Sequence, residues 1–488
     1  MLLGFEIENQ MNHMLIGLRS DDIKSYIQAD AEKRLKIVDA IYPLSRLSIL
    51  VGPNSSGKTS LLRALSALQE LCESEMLGMS EDNSKLLALG QKRKGEDIKD
   101  SKDEQDYNQG EFRILCFFYL EEYRHIVSYE LILELVDGNK ADNSYKLNKN
   151  MSVIKEHLDG YEIDEILDSL CRGKKRKKVK NLILHEIESE KNHSKNGSYS
   201  SSSPENILHE KAIAKQIFDI SRDKNELNIH DNSSDKEIKI KLESTDDGSL
   251  LINFINESDL GNVFDKDFRI QISSMLNELR EQIQRLSVDF SFNDEEEWNN
   301  LNDNDLRQIC IKFKDFHYED KKHLNILSKI KDAVAFVDEK KKYQKDSRIF
   351  ATNNVDDLIK TKLDDLSDAD KRAILILNKM ATDEHRIIAI ENPDINLYHE
   401  NVSLLAELFC KIAIRENKQF LITSHYPSFL DHFSLKEIWN FVGNMSCKSE
   451  ENCHGVDRVP YCLAQDKLLV EMTKEGISIS NLWYGQYF

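Results

Sequence analysis

Eight consecutive residues, GPNSSGKT from Gly52 to Thr59, have the spacing G-x-x-x-x-G-K-[ST] that wraps a polyphosphate. Gly52 and Gly57 allow backbone N–H groups to turn toward phosphate oxygens, and Lys58 brings one ammonium to the β and γ oxygens. The Thr59 hydroxyl offers a Mg2+ ligand, and the start of the following helix adds its positive end to the same field. ATP with Mg2+ is the expected ligand.

A second motif supplies what such a loop needs. RIIAIENPD runs four apolar residues, Ile387 to Ile390, into the carboxylate of Glu391, which is expected to hold Mg2+ through water. FLITSH sets Ser424 and His425 at the end of another apolar run, where open α/β sheets collect functional side chains and where a histidine can sense a γ-phosphate. LSDADK, residues 366 to 371, opens a helix with Ser367 as N-cap and Asp370 in the capping-box position. That helix start is expected either simply to cap or to receive the γ-phosphate of a nucleotide held by a second subunit.

The elements that position these residues follow from periodicity. RLSILV before the loop is a short β-branched strand, and the leucines at 61, 62, 65, 68 and 71 after it mark a helix. FRILCFFYL and HIVSYELILELVDG predict two strands joined by a charged turn, in an antiparallel sheet beside the nucleotide core. Beyond residue 360, alternation of helix and buried strand predicts a parallel α/β sheet, so the nucleotide fold is split in sequence. The fold expected is therefore α/β, with residues 1–135 and 351–445 forming the head, 136–350 a mainly helical insertion, and 446–488 a tail that completes the head. Within the insertion, Ile163 to Leu170, Ile272 to Leu286 and Leu324 to Val337 carry apolar seams that suggest a helical hairpin or short coiled coil. The polar stretch from Gly90 to Glu111 is expected as a solvent loop, and the Ser-rich stretch near 193–206 as a flexible linker.

Composition bounds the partners. The chain has 488 residues, 31% charged, with a formal net charge of -20, so nucleic acid is repelled on average and any contact needs a local basic patch. Arg172, Lys174, Lys175, Arg176, Lys177 and Lys178 form the one such run, which fits either a solvated helix end or a phosphate grip. No apolar run approaches the roughly 18 residues needed to cross a bilayer, and the N-terminal residues resemble no leader, so a cytoplasmic location without membrane contact is expected. Eight cysteines form no disulfide framework; Cys447, Cys453, His454 and Cys462 are near enough in sequence to surround zinc but lack paired C-x2-C knuckles.

Taken in order, GPNSSGKTS, LSDADK, IIAIENPD and LITSH resemble the soluble ABC-type P-loop ATPase heads of the overcoming-lysogenisation-defect and SMC-like kind, including the PtuA-like and AriA-like ATPases of antiphage systems. The resemblance covers about residues 1–135 and 355–445. It implies that Gly52, Pro53, Asn54, Ser55, Ser56, Gly57, Lys58, Thr59 and Ser60 bind ATP, with Thr59 and Glu391 at the metal. It further implies that Glu391 is the Walker B acid, that Ser367 acts in trans within a homo-dimer or higher oligomer, and that His425 is the switch histidine. The sequence departs from the pattern in three places. Asn392 stands where many members carry a general-base Glu, so hydrolysis is expected to be slow. Leu366 to Asp370 lacks the Gly pair of a full signature, and Asn396 and Tyr398 replace a usual His pair. No Q-loop glutamine is placed, and Tyr42 is a candidate for adenine stacking. Too little chain follows His425 for a Toprim nuclease domain, so any nuclease is expected on a partner that the head controls. The alternative is an SMC-like repair or recombination ATPase acting directly on DNA.

Overall fold

The computed structural model describes residues 1–9, 12–54, 56–73, 111–135, 151–173, 179, 181, 183, 214–223, 226–241, 250, 264–289, 298–314, 325–346, 363, 366–441, 456–458 and 460–488. In the first part of the chain, β1 (Leu2–Asn9) and β2 (Asn12–Gly17) pair antiparallel and precede helices α1 (Ser20–Gln28) and α2 (Ala31–Ala40). β3 (Leu47–Val51) then leads into α3 (Lys58–Glu73). β4 (Glu111–Leu120), β5 (His125–Leu135) and β6 (Met151–Glu162) follow, then α4 (Glu165–Cys171) and β7 (Lys215–Asp223), β8 (Glu226–Asp231) and β9 (Lys236–Lys241).

The second part begins with α5 (Lys266–Gln284) and β10 (Leu286–Asp289). Helices α6 (Asp303–Lys312), α7 (Asn325–Asp346) and α8 (Asp368–Thr382) precede β11 (Ile387–Ile390), α9 (His399–Arg415) and β12 (Gln419–Thr423). The chain closes through α10 (Pro427–Leu430), β13 (Ile438–Asn440), β14 (Val456–Arg458), β15 (Tyr461–Cys462), α11 (Lys467–Lys474) and α12 (Ile479–Tyr484).

Six strands form the core sheet in the order β10-β11-β12-β3-β13-β15, parallel from β10 to β13 and antiparallel at β15. β3, β11 and β12 are buried along their whole length because helices cover both faces, which is why their sequences are continuous apolar runs rather than alternations. Leu50, Ala389 and Leu421 point into one core with α3 and α5, whereas Ile49, Ile388 and Ile422 point into the other, which includes residues of α6 to α9. Nine further strands form a second sheet, β14-β2-β1-β4-β5-β6-β7-β8-β9, antiparallel except at β14. Alternation along β4 serves two layers: Phe112, Ile114, Cys116 and Phe118 share the core of α3, while Leu115, Phe117 and Tyr119 pack with residues of α1, α2 and α4.

The expectation of a mainly helical insertion over 136–350 is corrected in part: among the described residues the helices α4 to α7 are there, but so are five strands. β6 to β9 extend the antiparallel sheet, and β10 is an edge of the core sheet. β6 and β7 carry charged residues that pair across strands, which breaks up their apolar alternation, whereas β8 and β9 do alternate, through Leu227 and Ile229 and through Ile238 and Ile240, but are only six residues each. The expected helical hairpin is corrected as well. α5 buries Ile272, Met275, Leu276, Leu279 and Ile283 in one core, α7 buries Leu327, Ile330 and Val337 in the other, and Leu286 belongs to β10 rather than to the helix. The expected solvent loop up to residue 110, the Ser-rich stretch at 193–206, Lys174 to Lys178, Cys447, Cys453, His454 and Ser55 lie outside the described residues. No described helix is long and apolar enough to cross a membrane.

Candidate nucleotide site

β3 delivers the chain to Gly52, whose φ of +139° is open to glycine and whose missing side chain matters: a Cβ there would lie 2.7 Å from the Phe441 carbonyl oxygen. Gly57, at φ +102°, makes the second turn, and its carbonyl accepts from Leu61 N at 3.0 Å to start α3. Lys58 is buried. Its Nζ donates to Gly52 O at 2.9 Å, Pro53 O at 2.9 Å and Ser56 Oγ at 3.1 Å. Burial lowers the Lys58 pKa to about 8, against the opposing pull of Glu391.

The registers Ile390↔Ile422 and Thr423↔Leu50 set the carboxyl ends of β11, β12 and β3 side by side. Their loops therefore converge. The Thr59 hydroxyl donates to the Glu391 carboxylate across 332 residues of sequence. Asn392, at φ +47°, is pinned to β12: its N–H donates to Thr423 O at 3.1 Å and Thr423 Oγ1 at 2.9 Å, while the Thr423 hydroxyl donates to Asn392 Oδ1 at 3.1 Å. Ser424 Oγ donates to Asp394 Oδ2 at 2.6 Å and accepts from Tyr426 N at 3.1 Å, bracing the turn that exposes His425. Partial burial and the Lys58 charge lower the His425 pKa, so the imidazole is neutral at pH 7. Asp394 is buried, its Oδ1 has no hydrogen-bond partner among the described residues, and desolvation raises its pKa.

Ser367 caps α8 as expected, accepting from Asp370 N at 3.2 Å. The reciprocal half of the capping box is replaced: Asp370 takes Lys329 Nζ at 2.9 Å and Asn401 Nδ2 at 3.4 Å. Among the described residues no hydrogen bond joins Ser367 to the Gly52–Thr59 loop. Arg372, one turn along α8, donates to Asn392 O at 3.4 Å and so ties that helix to the Glu391 loop. Tyr42 is half-buried and donates to Ala464 O at 3.1 Å. Ser60 sits in the first turn of α3, and Asn396, at φ +61°, and exposed Tyr398 lie on the loop before α9. Arg172 is occupied by Asp168 at 2.9 Å, Glu121 at 3.1 Å and the Tyr119 hydroxyl at 3.0 Å. Cys462 is buried, with its thiol 3.5 Å from Leu435 O.

The arrangement combines a buried ammonium, a glycine-bounded loop at a helix start, and a hydroxyl beside a carboxylate, the hard oxygen donors that suit Mg2+. Thr423, Asp394 and Arg372 were not singled out from sequence, although all three brace the site. Thr423 and Asp394 fall inside the FLITSH and RIIAIENPD motifs, but nothing in the sequence shows which groups they hydrogen-bond.

A family model described as AAA_15, AAA ATPase domain, matches residues 35–430. No curated protein matches the chain. Among solved structures, an SMC head bound to the C-winged helix domain of ScpA aligns at 10% identity over 95% of this chain and 98% of its own, with a TM-score of 0.31. The SMC head domain from Thermotoga maritima aligns at 9% identity over 94% and 97%, TM-score 0.29. A third, an Smc head with an extended coiled coil bound to the C-terminal domain of ScpA derived from Pyrococcus furiosus, aligns at 11% identity over 97% and 99%, TM-score 0.31.

Proposed function

The chain belongs to the AAA ATPase domain family, and from that premise we propose that it binds ATP with Mg2+ and acts as a nucleotide-dependent switch or scaffold that controls a partner effector nuclease in bacterial antiphage defence. The observation that carries the nucleotide part is the Thr59–Glu391 contact beside the buried Lys58. Lys58, held among the described residues by carbonyl and hydroxyl oxygens of its own loop, is set to exchange them for phosphate oxygens. Thr59 and Glu391 would hold the metal, whose role when bound is to neutralise phosphate charge. His425, neutral and exposed beside Lys58, would report the γ-phosphate. Asn392 leaves the chain without a carboxylate at the usual base position, which supports slow turnover and a switch that dwells in its bound form.

The defence part of the reading is supported by the order of the four motifs. Two heads would close on two nucleotides, each between one subunit's Gly52–Ser60 loop and the other's Ser367 helix start. Light scattering tests this: wild type should grow in mass with ATP and Mg2+, and Lys58→Ala should not. Identical masses with and without nucleotide would overturn the switch. The DNA-acting alternative draws less support, because Arg172 is already engaged by two carboxylates and Tyr119. It would regain ground if neutralising Lys174 to Lys178 abolished salt-sensitive DNA binding.

A further inference from the structure

Away from the core sheet, β5, β6 and β7 bring ionisable side chains to one face of the antiparallel sheet. Glu130, His157 and Ser221 are cross-strand neighbours, as are Ser128, Asp159 and Asp219. Asp159 and Asp219 therefore stand directly opposite each other, a like-charge pairing that weakens a sheet unless positive charge lies between them. His157 Nε2 is 3.1 Å from Asp159 Oδ1 and 3.4 Å from Asp219 Oδ1, and the three potential donor atoms all lie within 4.8 Å of one another. Metal bonds of about 2.1 Å at right or tetrahedral angles put donors roughly 3.0 to 3.4 Å apart, which is the spacing found here around the imidazole nitrogen.

We propose that His157, Asp159 and Asp219 form a binding site for a divalent transition-type cation such as Zn2+, Mn2+ or Co2+, separate from the nucleotide site. The surrounding groups are those that orient metal ligands. Gln216 Nε2 donates to Asp159 Oδ1 at 2.7 Å, the Tyr161 hydroxyl donates to Asp159 Oδ2 at 3.0 Å, and His157 Nδ1 faces Glu130 Oε2 at 3.8 Å. Arg113 pairs with Glu130, so Asp159 and Asp219 are the two carboxylates that face the imidazole nitrogen. One nitrogen with two carboxylates suits first-row divalent ions better than Mg2+ or Ca2+, which favour oxygen alone.

A proton is the competitor, because the His157 Nε2 that would take the metal lies 3.1 Å from Asp159 Oδ1 and 3.4 Å from Asp219 Oδ1, where an N–H can be shared between them. Metal uptake must therefore release that proton and tighten as pH rises. The full chain without nucleotide, titrated with Co2+ and separately with Mn2+, provides the test. Wild type should bind one equivalent, with a cobalt spectrum of nitrogen and oxygen ligation that lacks a thiolate charge-transfer band, and with proton release read from buffer dependence. Asp219→Asn and His157→Gln should each weaken uptake at least tenfold, while circular dichroism confirms that they fold. No uptake by wild type would mean a plain imidazolium ion pair and overturn the site. Equal uptake by Asp219→Asn, or a thiolate band, would place the metal elsewhere and overturn it equally.

Discussion

Lys58 shows how a binding residue burdens the fold that holds it. Its folded pKa of about 8 lies below the ordinary lysine value, so the native chain binds fewer protons than the unfolded chain between about pH 8 and 10.5, and this group's contribution to stability rises with pH across that window. Removing the charge removes a desolvation penalty together with three hydrogen bonds. Lys58→Met is therefore expected to leave the thermal midpoint unchanged or higher, yet to weaken ATP binding roughly tenfold to a hundredfold, the worth of one or two charged hydrogen bonds. Calorimetric titration beside a thermal melt checks both halves. In wild type the ATP association constant should fall above about pH 8, as the ammonium is lost. Asn392 carries a different compromise. At φ +47° an asparagine is at ease and a glutamate is strained by about 1 kcal/mol. Asn392→Glu should restore a proton acceptor and raise steady-state phosphate release on the order of a hundredfold, while lowering stability by about that strain. Unchanged turnover would remove position 392 from the account of slow hydrolysis.

At the scale of elements, legibility tracked periodicity. β3, α3, α8, β11, α9 and β12 could be read from sequence because each is either a continuous apolar run or a clean helical stripe, and β4 with β5 because aromatic and β-branched residues dominate them. The strands β6 to β9 were missed for a physical reason. MSVIKEHLDGYE and KQIFDISRD hold Glu156, Asp159, Asp219 and Arg222 within the sheet, and such residues look like loop or helix surface until their partners across the strand are known. The Glu156–Arg222 pair is the clearest case: the side chains are 0% and 4% exposed, 3.3 Å apart, and the Tyr129 hydroxyl donates to Glu156 at 2.7 Å. Truncating one partner leaves the other charge in an apolar setting. Arg222→Ala should cost about 3 to 5 kcal/mol in urea denaturation, and the double change Glu156→Gln with Arg222→Met should recover most of it. Equal loss in the single and double variants would show that strand pairing, not charge pairing, dominates there. Gly160 was equally silent in sequence, yet a Cβ there would meet the Phe218 ring at 2.1 Å, so that ring occupies the space above β6.

On the scale of the whole molecule, the core sheet gathers Gly52, Glu391 and His425 at one end, from stretches of chain that lie more than 300 residues apart, and so makes ATP binding a property of the closed fold. The Ser367 hydroxyl caps α8, Asp370 beside it is held by Lys329 and Asn401, and Arg372 on the same helix reaches the Glu391 loop. With a net charge of -20, two heads repel each other at long range, so closure should strengthen with moderate salt. Complementation separates action in trans from a mere cap. Lys58→Ala lacks the loop but keeps Ser367; Ser367→Arg lacks the helix start but keeps Lys58. If each site takes one group from each subunit, a random mixture yields heterodimers with one whole site, and ATPase activity should return to about a quarter of wild type although neither variant is active alone. If Ser367 only caps α8, every site in the mixture carries one lesion or the other as it did before mixing, and the activities will simply average.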